Sequence, residues 1–95
     1  MAYVFIEHEI SHWRTFEEIF RRDGERREEL GSRGAIVIRY INNPQKVLII
    51  FEWNTIEGAL KFADSLEAHE AASWAASDTK IRRLDVGEEL LNLDA

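Results

Sequence analysis

A chain of 95 residues and 11.1 kDa suffices for one domain, residues 1–95, and is too short for two. With 45% apolar and 32% charged residues it is expected to fold, and its net charge of −6 argues against a nucleic-acid surface. The absence of Cys rules out disulfides, thiolate zinc sites and a Cys nucleophile, and fits a reducing cytoplasm.

No apolar run has the length of a membrane span, and MAYVFIEHEI lacks the basic region and cleavage site of a signal peptide. Residues 2–10 alternate as a strand, with Val4, Ile6, His8 and Ile10 on one face and Tyr3, Phe5, Glu7 and Glu9 on the other. Ser11 is a good N-cap for a helix running from His12 to about Leu30, whose apolar stripe is Trp13, Phe16, Ile19 and Phe20. Its second half, Arg21–Glu29, has no apolar residue and reads as solvated; i,i+4 pairs such as Asp23–Arg27 add only about 0.2–0.5 kcal/mol each. Gly24 weakens this helix, and Gly31 and Gly34 end it.

Gly34–Ile41 and Lys46–Trp53 read as strands joined by the turn Asn42–Gln45 (NNPQ). A four-residue turn sets Ile41 opposite Lys46. One face then carries Ile36, Ile38, Tyr40, Val47, Ile49, Phe51 and Trp53, and the other carries Ala35, Val37, Arg39, Leu48, Ile50 and Glu52. Thr55 caps a second helix with a stripe of Ile56, Ala59, Leu60, Ala63 and Leu66, continuing through His69 and Trp74 to Ala76. Residues 79–87 form a last strand in which Ile81 and Leu84 fall out of phase, as a bulge would make them.

The order is β-α-β-β-α-β, which predicts an α+β, ferredoxin-like fold: a four-stranded antiparallel sheet with two helices on one face. The uncovered face, with Val37, Leu48 and Ile50, calls for a second copy of the chain as its cover, hence a homodimer through sheet faces.

At this point the chain resembles the dimeric α+β barrel superfamily, close to its antibiotic biosynthesis monooxygenase-like group. Three segments carry the resemblance: Ile6-x-His8-x-Ile10-x-x-Trp13, then Phe51-Glu52-Trp53 with Glu57-Gly58-Ala59, then Phe62-Ala63-Asp64-Ser65-Leu66-Glu67. The last is similar to the helix break that many members place before a Ser. The resemblance implies a pocket between sheet and helices for a small hydrophobic or aromatic molecule. In some members molecular oxygen oxidises that molecule with no cofactor, metal or flavin. Haem-degrading members place an Asn, a Trp and an axial His where this chain has His8, Phe62 and Ala72, so the resemblance does not extend to haem chemistry.

Each candidate has a functional and a structural reading. His8 is either a pocket base or hydrogen-bond donor titrating near neutral pH, or a half-buried structural histidine. Arg39 and Glu52, on one face in this register, either anchor polar groups of a ligand or form an ion pair at the dimer interface. Trp53, Phe62 and Trp74 either line a cavity for a planar ligand or belong to the core, and Trp13 reads as core. His12 and His69 read as surface, and no H-x-x-x-H or H-E-x-x-H spacing suggests a metal. G-x-S-x-G, a phosphate-cradling loop and a dinucleotide fingerprint are all missing from the sequence.

Three functions follow: binding of a small hydrophobic or aromatic molecule, cofactor-independent monooxygenation of an aromatic substrate, or a regulatory amino-acid-binding module of the same topology. The last usually has a Gly-containing loop where Ser11-His12-Trp13 stands. An RNA-recognition domain needs basic, aromatic central strands, which KVLIIFEW does not supply.

Overall fold

A computed structural model describes residues 1–69 and 80–94, with side chains for 1–66 and 84–94. Strand β1 (Ala2–Glu9) buries Ala2, Val4, Ile6 and His8 on one face and leaves Tyr3, Phe5 and Glu7 half-buried on the other, as the period-2 pattern requires. It sits between β3 (Lys46–Trp53) and β4 (Lys80–Gly87), and β2 (Ser32–Arg39) flanks β3. The order is β2-β3-β1-β4, and every neighbouring pair is antiparallel. Helices α1 (Trp13–Arg22), α2 (Gly24–Leu30) and α3 (Ile56–His69) complete the expected α+β order, with the first helix in two pieces.

The core lies between one sheet face and these helices. Val4, Ile6, Ile49, Phe51 and Trp53 meet Phe16, Ala59, Phe62 and Leu66 there, all at most 6% exposed. Thr55 caps α3 as expected: the Gly58 N–H donates to its Oγ1 at 3.0 Å. The buried stripe of α3 is rotated from the predicted one. Phe62 turns inward, while Ile56 and Leu60 are about half exposed. This helix also runs unbroken through Ser65, whose hydroxyl donates back to the Phe62 carbonyl at 2.9 Å, so the expected break before Ser65 is absent. The predicted bulge in the last strand is present. Glu7 pairs with Arg83 and His8 with Ile81, which restores the phase lost between Leu84 and Ile81.

Three further expectations are corrected. The helix predicted over 12–30 breaks at Asp23, where φ −81°, ψ −2° ends α1 and begins α2 in a segment without apolar anchors, next to Gly24. The N-cap is His12, not Ser11. Gly31, at φ +116°, ends α2 in the left-handed conformation.

The third correction concerns the hairpin. Tyr40 N–H donates to the Lys46 carbonyl at 3.2 Å, so the connection has five residues, 41–45, and takes in Ile41, which is 96% exposed. One more loop residue moves the register by one: Val37 pairs with Ile49 and Arg39 with Val47. Because side chains alternate with period 2, this slip exchanges the faces of β2. Val37 and Arg39 join the helix side with Val47, Ile49 and Phe51, while Ile36 and Ile38 turn to the open face with Ile50 and Leu48. Arg39 and Glu52 therefore lie on opposite faces of the sheet, and the shared charged face expected of them does not exist. The open face stays apolar. Ile36 and Ile38 are 60% and 47% exposed on it, beyond the Lys46–Glu7 ion pair at one end.

Candidate functional site

Between α1–α2 and the edge strand β2 lies a cleft of about 970 Å³. One wall is an aromatic stripe that α1 presents at positions i, i+3 and i+7: Trp13, Phe16 and Phe20. Phe20 stacks on Phe16 at 5.5 Å between ring centroids, and it touches Phe51 of β3 at 5.8 Å, so the rings run from the cleft into the core. Ala35 and Val37 of β2 form the opposite wall. Arg39, at the end of that strand, lays its guanidinium over the Trp13 ring at 5.2 Å.

The polar end of the cleft follows from two local breaks in regular structure. The β2–β3 register shifts between Ser32 and Gly34, leaving Arg33 as the extra residue of a bulge that Gly34 accommodates at φ +150°. Arg33 lines the cleft and its Nη1 donates to Asn54 Oδ1 at 3.1 Å. The helix break at Asp23 does more. It turns α2 so that Arg27, in the middle of an all-polar stretch, is only 7% exposed and faces the cleft from beneath Phe20. Its guanidinium lies over the Phe20 ring at 4.1 Å and the Phe51 ring at 5.5 Å. Nη2 donates at 2.9 Å to the Phe20 carbonyl, one of the last-turn carbonyls of α1 that lack an intrahelical donor. Burial lowers the Arg27 pKa from its ordinary value, Asp23 offsets part of that, and Arg26 adds to it. Arg21, exposed at the rim, pairs with Glu17 at 3.2 Å.

The sequence-predicted residues do not converge here. His8 is fully buried in the core, its ring edge-on to Phe16 at 5.6 Å, one ring behind the cleft wall. Desolvation lowers its pKa to about 4, so the expectation of titration near neutral pH is corrected: the imidazole is neutral at pH 7. Trp53 and Phe62 are core residues 4.8 Å apart, and Trp53 Nε1 is buried without a hydrogen-bond partner among the described residues. Arg39 is on the helix side at the Trp13 end of the cleft. Glu52 lines a smaller hollow of about 370 Å³ on the open face, with Tyr3, Phe5, Ile36, Ile50 and Leu90. Trp74 and Ala72 lie outside the described residues.

Sequence reasoning missed Arg27, because a charged residue in a charged stretch reads as solvent-facing. The seven-residue spacing of Trp13, Phe20 and Arg27 would put them on one stripe of an unbroken helix, but the helix breaks at Asp23, so that spacing did not mark Arg27. Among the described residues no group of three His, Asp or Glu side chains is placed to hold a metal ion, and no helix is long and apolar enough to cross a membrane.

No protein-family model matches the sequence, and no curated protein matches it. Its likeness to solved structures lies in the backbone. A proposed antibiotic biosynthesis monooxygenase from Deinococcus radiodurans is similar over 100% of both chains, at 14% identity and a TM-score of 0.70. SnoaB, a cofactor-independent oxygenase from Streptomyces nogalater, is similar over 99% of this chain and 98% of its own, at 15% identity and a TM-score of 0.70. A dimeric ferredoxin-like protein from an uncultured marine organism covers both chains fully, at 10% identity and a TM-score of 0.61. The chain has the ferredoxin-like fold. Its structural neighbours are antibiotic biosynthesis monooxygenase-like proteins of that fold, as the sequence resemblance led one to expect.

Proposed function

We propose that this protein binds a small aromatic molecule in the cleft between α1–α2 and β2. The observation that carries this reading is the aromatic ladder of Trp13, Phe16 and Phe20 facing Val37 across a space of about 970 Å³. That volume is ample for a two- or three-ring compound, and ligand pockets are commonly apolar walls with a few polar groups at one end. Titration with 2-acetylnaphthalene, followed by amide NMR shifts, is expected to move Phe16, Phe20, Ala35 and Val37 first. Ala35→Trp, at an exposed β2 position on the cleft wall, narrows the cleft opposite the aromatic stripe and is expected to weaken binding by about tenfold or more, since losing about 1.4 kcal/mol is a factor of ten. Binding undiminished in that variant would place the ligand elsewhere.

A second reading is cofactor-independent monooxygenation, favoured by the shared fold with SnoaB and by a cation at the end of an aromatic cleft. Such a reaction takes one oxygen atom of O2 into an electron-rich phenol, giving a quinone, while the other leaves as water. Oxygen uptake on adding a phenol that binds separates an enzyme from a binding protein.

The protein is further proposed to pair with a second copy through the open sheet face, supported by the exposure of Ile36 and Ile38 and by a dimeric neighbour of the same fold. Light scattering at micromolar concentration is expected to read twice 11.1 kDa. A monomer there overturns the pairing. The cytoplasm is the compartment that the cysteine-free composition fits.

A further inference from the structure

We infer that the molecule bound in this cleft is an aromatic anion, carrying a carboxylate or an ionised phenol or enol, and that Arg27 grips that group. This rests on the cleft being the binding site, as proposed above, and adds the chemical class of the ligand.

Stripping water from a guanidinium is costly, and a buried charge in a folded protein normally has a partner of opposite sign. Arg27 is 7% exposed and Asp23 acts on its charge through space, yet among the described residues its guanidinium makes no ion pair at bonding distance and no hydrogen bond besides the one to the Phe20 carbonyl. Tying down the end of α1 needs one N–H. A guanidinium has five, in a planar fork shaped to bind a carboxylate through two of them. The guanidinium carbon of Arg27 lies 4.1 Å from the centre of the Phe20 ring and 5.5 Å from that of Phe51, in a group that lines the cleft.

The surroundings agree in sign. Three guanidiniums line the cleft against two carboxylates, in a chain whose net charge is −6. Of these groups, Glu17 is paired with Arg21, Arg33 is bonded to Asn54, and Glu28 is exposed. Arg27 alone among them is buried. It also sits next to the aromatic stripe, so one ligand reaches the rings and the fork together.

The test compares two probes of nearly the same shape, 2-naphthoate and the neutral 2-acetylnaphthalene, by calorimetric titration at pH 7. In the natural protein 2-naphthoate is expected to bind at least about tenfold more tightly, as for a charge-assisted hydrogen-bonded pair. In Arg27→Met that preference is expected to fall to about one, with 2-acetylnaphthalene affinity kept within about threefold; Arg27→Lys, which keeps the charge but not the fork, is expected to fall between. The Arg27 Nε–H resonance of the natural protein is expected to shift with 2-naphthoate and not with 2-acetylnaphthalene, a readout that needs no variant. Equal affinities in the natural protein, or a preference undiminished in Arg27→Met, overturn the inference and leave the cleft reading standing. If neither probe binds, the cleft reading falls and takes the inference with it.

Discussion

Phe51→Ala is expected to lower the unfolding free energy by about 3–5 kcal/mol, measured as a shifted midpoint in urea with the slope unchanged. Phe51 is fully buried on β3, opposite Val4 of β1 and Ala35 of β2. Its ring meets Phe62 edge-on at 4.9 Å and Phe20 at 5.8 Å. Alanine removes the partner of both rings and opens a cavity that the sheet, fixed by two hydrogen-bonded neighbours, closes only in part. A domain of this size has about 5–15 kcal/mol in all, so a large share of its stability is at stake. Because the same ring lies under the Arg27 guanidinium, the variant is also expected to loosen the polar end of the cleft. A loss below about 1 kcal/mol would mean that Phe20 and Phe62 collapse together over the gap.

Acidification has a second large effect, through His8. The folded pKa is about 4 against 6.5 when exposed, because burial disfavours the imidazolium. Between those values the unfolded chain takes up a proton that the folded chain does not, so stability falls as pH falls through that window. At about 1.4 kcal/mol per pH unit, the loss from pH 6.5 to 4 is about 3 kcal/mol. Carboxylates titrate at the lower end, so the clean comparison is between pH 7 and 5. There the natural protein is expected to lose about 2 kcal/mol, and His8→Leu, of similar volume and apolar, is expected to be nearly flat. Parallel slopes for the two proteins would remove His8 as the source.

Much of the fold was legible in the residues themselves. The alternation of Val4, Ile6 and His8, the Thr55 cap, and the phase fault between Ile81 and Leu84 each act within a few positions, where local preference and periodicity decide. The hairpin was not legible in the same way. Both faces of β2 offer apolar residues, Val37 on one and Ile36 and Ile38 on the other, so pattern alone does not choose the register. The loop closed by Tyr40 and Lys46 chooses it, and a loop of four residues or five is equally compatible with NNPQ. That single residue moved Arg39 away from Glu52 and with it the expected site. Arg27 was hidden for another reason. Its burial depends on the change of direction at Asp23 and on aromatic rings from two other elements, neither of which its neighbours in sequence, Arg26 and Glu28, foreshadow.

The depth at which Arg27 sits sets stability and recognition against each other at one position. Much of its water is removed as the chain folds, so an arriving anion meets a donor already oriented, and loses little of its affinity to arranging it. The same arrangement leaves the empty protein less stable than a methionine or leucine at that position would make it. Selection for heat resistance alone would discard this arginine early. Its persistence in a population under both pressures would measure how much the captured molecule matters to the cell.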